Sequence, residues 1–201
     1  MPEPRIAHLF DIKSRFLRSA HLERDFDDPT ALAAYVPTDF IQSCLSRIAE
    51  GLKPRSGRRA WRMTGDYGSG KSSFALLLAH ALAGRDNHFP PQLLKAIDLG
   101  KHAAPRPAFL PVLVTCSRQP LGTSILQALH RTLCTAFKRR AKSKAAERVQ
   151  RLLGSKNEPA GEQIVEAILE ANSQVIADGK GQSMLPATYP TQTGTLLSCK
   201  T

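Results

Sequence analysis

The octapeptide Gly65-Asp66-Tyr67-Gly68-Ser69-Gly70-Lys71-Ser72 constrains this chain more than any other stretch, because its G-x-x-x-x-G-K-[ST] spacing is that of a loop that cradles phosphates. A polyphosphate needs many N–H donors, close approach of the backbone and a cation that stays in place. Gly65, Gly68 and Gly70 lack a Cβ, so the loop can take positive φ and turn its amides inward. Lys71 supplies a cation for the β- and γ-phosphates. Ser72 falls on the first turn of the following helix, where its hydroxyl can ligate Mg²⁺ beside the helix's positive end. Asp66, Tyr67 and Ser69 complete the loop, and Ser73 is a second polar contact. The expected site is therefore 65–73, with ATP and Mg²⁺ as its cofactors.

Four fixed positions coincide by chance in on the order of 1% of chains of this length. The flanks make chance a poorer explanation. Ala60-Trp61-Arg62-Met63-Thr64 reads as a short strand. Phe74, Ala75, Leu76, Leu77, Leu78, Ala79, Ala81 and Leu82 read as a helix apolar nearly all round, with Gly84 as its cap. Strand, glycine loop and buried helix are the setting the motif requires, and they point to an α/β fold with a parallel sheet and flanking helices.

At 201 residues the chain suits one such domain. Its 28 Lys+Arg against 17 Asp+Glu leave +11, which favours an anionic partner beyond the nucleotide, nucleic acid before membrane. Cys44, Cys116, Cys134 and Cys199 are widely separated, with no C-x-x-C pair, so neither a zinc knuckle nor a disulfide framework is indicated. A cytoplasmic protein is expected: the N-terminus has no apolar leader core, and no run approaches the ~18 to 20 apolar residues of a membrane span.

Along the chain, 1–52 reads as an N-terminal helical or arm region, 53–178 as a partial nucleotide-binding domain and 179–201 as a disordered tail without periodicity. The acidic run 23–29 reads as a loop. A helix from Thr38 places Ile41, Leu45, Ile48 and Leu52 on one face, widened by Phe40 and Cys44. The basic connector 53–59 reads as solvated, and a short helix is expected over 92–99. Ala108 to Cys116 is the second strand, with Pro111 near its start. Arg118, in the turn after it, can meet a phosphate or solvent. A helix from Gly122, capped by Thr123 or Ser124, turns Ile125, Leu126, Leu129, Leu133, Ala136 and Phe137 inward. Lys138, Arg139, Arg140, Lys142 and Lys144 form the densest positive cluster, followed by Arg148 and Arg151 with Glu147 opposing; it is the candidate nucleic-acid contact, without aromatics for base stacking. In the helix from about Pro159, through Ile164, Val165, Ile168 and Leu169, the carboxylates Glu162, Glu166 and Glu170 read as a solvated face.

With these residues laid out, Trp61 to Leu82, and within it Thr64-Gly65-Asp66-Tyr67-Gly68-Ser69-Gly70-Lys71-Ser72-Ser73-Phe74, resembles the phosphate loop of AAA-type bacterial ATPases, in particular those of multigene phage-defence systems of the phage-exclusion kind. The likeness extends, as an order of elements alone, over residues 20 to 178. It implies a P-loop NTPase-type sheet and nucleotide-binding roles for Gly65, Gly70, Lys71 and Ser72. Such proteins carry, soon after a region like 170–180, an apolar strand ending Asp-Glu that completes hydrolysis. This chain departs there: Asp98 sits in a helix-like context, and Asp178 follows only the short run Val175-Ile176-Ala177. The expectation is an incomplete sheet, as in a truncated or frame-shifted product whose tail after Gln182 is not family sequence.

Three functions compete. One is the ATP-binding part of a nucleic-acid-associated or phage-defence ATPase. Another is a small P-loop kinase, disfavoured because kinases open on the loop's strand, which here starts at Ala60, and because no arginine-rich lid follows. The third is a non-hydrolysing, nucleotide-gated partner of other proteins or of further copies of itself. The guanine-reading run Asn-Lys-x-Asp is missing, so ATP is preferred to GTP.

Overall fold

Pro111 cannot donate to a sheet ladder, and the apolar run behind it favours a strand once that handicap is passed. In a computed structural model, which describes residues 20–52, 56, 58, 60–96, 109–116, 118–137, 143–177 and 195–199, strand β1 is Val112–Cys116. Its side chains alternate between two cores. Leu113 enters a cluster with Leu22, Leu32, Leu45, Ile48, Phe74, Leu76, Leu77, Leu78, Phe89 and Leu93. Val112 and Val114 enter the other, with Leu126, Leu129, Leu133, Ala145, Val149, Ala167, Ala171 and Val175. One strand with a helical layer on each face explains why its sequence is apolar without interruption.

The first layer holds α1 (Leu22–Asp25), α2 (Asp39–Leu52), α3 (Lys71–Leu82) and α4 (Pro91–Ala96). Thr38 caps α2 through Ile41 N–H, 3.3 Å from its Oγ1. Leu45 and Ile48 of the expected stripe are buried, whereas Phe40 is 71% exposed, because it falls in the first turn beyond the reach of the core. Trp61 lies over Gly51, where an added Cβ would come within 2.9 Å of its ring, and the Arg47 guanidinium sits 5.8 Å from the ring centroid. α3 is buried on most sides, and its end is a Schellman turn: Gly84 at φ +64° donates to Ala81 O and Arg85 N–H to His80 O.

The second layer holds α5 (Leu121–Ala136), α6 (Lys144–Leu153) and α7 (Gly161–Ala177), with α5 packed on β1 and on α6. α5 starts one residue before the expected Gly122. Neither Thr123 nor Ser124 caps it; the Ser124 hydroxyl, inside the first turn, donates back to Pro120 O at 3.3 Å. Ser143 does cap α6, accepting Ala146 N–H at 3.1 Å.

Three further expectations are corrected. Within the acidic run, residues 22–25 form the one-turn helix α1 instead of a loop: Asp25, 6% exposed, accepts His21 N–H at 2.8 Å and so ties the turn together. Residues 195–199, expected to be disordered tail, form strand β2 (Thr195–Cys199), parallel to β1 with Val112 opposite Thr195 and Cys116 opposite Cys199. A five-residue run is too short for periodicity to announce it, but an unpaired edge of β1 supplies backbone partners. Residues 60–64, expected as the strand entering the phosphate loop, are irregular and exposed. A strand needs a neighbour to satisfy its backbone, and this segment is held through Trp61 on α2. The described residues thus form a mixed, mostly helical fold with one parallel pair of strands; no larger sheet is formed among them.

Candidate phosphate-binding loop

The loop stands on α3, whose buried Leu76, Leu77, Leu78 and Ala79 fix the helix to the core while its first turn meets solvent. Gly70 is the N-cap, at φ +82° and ψ 12°, and makes no side-chain cap. A non-glycine residue there would carry about 1–2 kcal/mol of left-handed strain. Gly68, at φ +81°, is the second left-handed position. An added Cβ at either glycine would meet nothing within 4 Å, so their conformation is what the sequence serves there, together with open space for a ligand. Gly65 is different: its φ is ordinary, and an added Cβ would approach Ser69 Oγ to 3.0 Å.

Lys71 folds back across the loop. Its Nζ donates to Gly65 O and Asp66 O, both at 2.7 Å, and lies 3.4 Å from Ser69 Oγ. An ammonium has three donors. Two are committed to carbonyls that hold it over the loop, and the third, at long range to a hydroxyl, is free to turn to an anion. The first turn of α3 contains no acidic residue, and Ser72 and Ser73 lie half-buried on it. Uncapped amides, a helix N-terminus and a pre-placed cation are thus brought together, as a phosphate requires. Asp66 and the 95% exposed Tyr67 are on the outer part of the loop. Mg²⁺ keeps several waters and takes other ligands from substrate phosphates, and the Ser72 hydroxyl on the first turn of α3 is the group that would add to them. Among the described residues no cluster of three His, Cys, Asp or Glu could hold a metal unaided.

The other predicted residues are not gathered here. Asp98, Asp178, Lys138, Arg139, Arg140 and Lys142 lie outside the described residues; Lys144 and Arg118 are exposed. Arg148 is not part of a free basic face. Its two terminal nitrogens are bound by Glu170 at 2.8 Å and Glu166 at 2.5 Å, which raises its pKa, and those carboxylates accordingly are not merely solvated. Helical spacing on α7 sets them side by side, but that they meet α6 is a tertiary fact.

Sequence reasoning missed Glu23. Its Oε1 accepts Thr115 N–H at 3.1 Å and its Oε2 pairs with Arg131 at 2.8 Å, which puts a carboxylate at the carboxyl end of β1, where open α/β sheets place ligands. The partners are 92 residues apart, a separation at which no local signal exists. His80 was also missed. It is fully buried on α3, between Phe26 and His88 with ring centroids 4.7 and 4.8 Å away, and neither ring nitrogen has a hydrogen-bond partner among the described residues. Burial, His88 and Arg85 together push its pKa down to about 4.

No family model, curated protein or solved structure matches the chain. No helix among the described residues is long and apolar enough to cross a membrane.

Proposed function

We propose that this chain binds a nucleoside triphosphate, ATP with Mg²⁺, at residues 65–73, as the nucleotide-binding part of an AAA-type ATPase of the nucleic-acid-associated or phage-defence kind. The observation that carries the reading is the Lys71 ammonium held by Gly65 O and Asp66 O above an uncapped helix N-terminus, with Gly68 and Gly70 left-handed beside it. Lys71 turns its third donor to the β- and γ-phosphates. The amides of the loop and of the first turn of α3 take the remaining oxygens, and Ser72 holds the metal, which supplies charge neutralisation when bound. The phage-defence assignment rests on the loop sequence alone.

Thermal unfolding with and without MgATP tests the reading. Ligand at 100 times Kd stabilises by about 2.7 kcal/mol, so the midpoint rises clearly in wild type and does not move in Lys71→Ala. A wild-type midpoint indifferent to MgATP overturns it. Phosphate release on the same samples separates an ATPase from a nucleotide-gated partner, which binds without turnover. Salt-dependent DNA binding that is unchanged when Lys138, Arg139 and Arg140 become Ala removes the basic cluster from the account.

A further inference from the structure

We propose that Arg47, Arg58 and Trp61, gathered at the end of α2 and continued by Arg62, bind single-stranded nucleic acid, the indole stacking on a base and the guanidinium groups meeting backbone phosphates. Packing brings these groups together. Trp61 and Arg58 O both lie over Gly51, 2.9 and 2.5 Å from where a Cβ would stand, and the Arg47 guanidinium, one helical turn earlier, sits 5.8 Å from the ring centroid. Ser56 fastens the connector there: its hydroxyl donates to Gly51 O and accepts Arg58 N–H at 3.4 Å. Both α2 residues touch the same ring, so the helix braces one side of it, and 41% of the tryptophan stays open. Met63, 42% exposed, and Tyr67, 95% exposed, follow in the same irregular segment. Large side chains left uncovered this close together mark a place where something binds.

Charge selects what binds. From Phe40 to Gly84 the sequence has two carboxylates, Glu50 and Asp66. Arg47, Arg58 and Arg62 are exposed, and among the described residues none of them forms an ion pair. Open guanidinium groups beside a braced indole suit a ligand that alternates phosphates with flat rings, which a single strand offers. A duplex keeps the faces of its bases inside the stack, so it meets the arginines but not the ring. Met63 and Thr64 join the cluster directly to Gly65, so a strand held here runs beside the phosphate loop. This surface deepens the nucleic-acid-associated part of the reading above and rests on that part alone; nucleotide at the loop is not required for it.

Trp61 is the chain's single tryptophan, so its emission reports the site directly. The full chain is titrated in about 50 mM salt with oligothymidylate or oligouridylate of about 16 nucleotides, with an abasic sugar-phosphate oligomer of equal length and with poly-glutamate. The base-bearing strands are expected to quench the emission by stacking, the tighter of the two naming the sugar, and the base-free polyanions to leave it nearly unchanged. Arg58→Ala with Arg62→Ala removes two phosphate contacts, which makes the slope of log K against log salt shallower by about 1.4 while the thermal midpoint still rises with MgATP. Trp61→Leu weakens binding of a fluorescein-labelled strand, read by anisotropy, about tenfold. Emission indifferent to both strands overturns the proposal, as does equal quenching by the abasic oligomer or poly-glutamate, or an unchanged salt slope in the double variant. Quenching intact in a wild-type chain whose midpoint ignores MgATP overturns the nucleotide reading and upholds this one.

Discussion

At the scale of the residue, two glycines separate clashes that can relax from those that cannot. An added Cβ at Gly51 would lie 2.5 Å from Arg58 O and 2.9 Å from the Trp61 ring, whereas one at Gly122 would meet the flexible end of Ile164 at 2.6 Å. Backbone cannot step aside as a terminal methyl can. Gly51→Ala is expected to cost about 1–3 kcal/mol despite alanine's better helix propensity, and Gly122→Ala clearly less, in denaturant titrations of the two variants. His80 sets a pH dependence of known sign. Its pKa of about 4 in the fold is below the ordinary 6.5, so between these values the unfolded chain takes up a proton that the native state refuses. Stability is then full above about pH 6.5 and falls, by about 2 kcal/mol, as the pH drops toward 4. The groups around the ring divide: His88 and Arg85 oppose its charge and Asp27 favours it. His80→Leu removes the two orphaned nitrogens and should flatten that part of the stability–pH curve, while a curve of unchanged slope would mean that other groups produce it.

At the scale of the element, Gln174 of α7 acts as a second cap for α6. Its Oε1 accepts the Ser143 hydroxyl at 2.9 Å and Ala145 N–H at 3.1 Å, while Ser143 Oγ accepts Ala146 N–H. Ser143→Ala leaves the Ala146 amide and part of Gln174 without partners and is expected to lower stability by about 1–2 kcal/mol. A double-mutant cycle with Gln174→Ala should show the two losses to be non-additive. How far such elements could be read from the chain depended on where their information lies. α3, with its loop and its Gly84 cap, was legible because spacing, apolarity and a left-handed glycine are all local. So were α2 from its stripe and β1 from its run. Residues 60–64 misled because alternating Trp61 and Met63 look like a strand but find Gly51 and solvent instead of neighbouring strands. The Arg148 clasp and the Glu23 contact join residues 22 and 92 positions apart, and no pattern within either segment encodes them.

At the scale of the whole molecule, the alternation of β1 links the glycine-rich loop proposed to bind nucleotide to helices of the opposite layer. Leu113 belongs to the core that anchors α3, and Val112 and Val114 belong to the core of α5–α7, so loss of one layer strips a face of the strand that the other needs. Both layers should then unfold together. The chain has a single tryptophan, Trp61, resting on α2 in the first layer, so its fluorescence reports that layer alone, whereas far-UV circular dichroism also counts the long helices of the second. The two signals are expected to give one common midpoint in urea. Leu133→Ala, a fully buried truncation in the second layer, should move both midpoints by an amount corresponding to about 2–5 kcal/mol, although Leu133 lies in the core opposite Trp61. On the proposed reading, MgATP acts from the other side. Bound at the head of α3, it should raise the fluorescence and dichroism midpoints equally in wild type and in Leu133→Ala, because binding energy delivered to one layer reaches the second through the shared strand. Separate midpoints, with MgATP shifting the fluorescence transition alone, would show that β1 does not couple the layers and that the phosphate loop answers to the first core only.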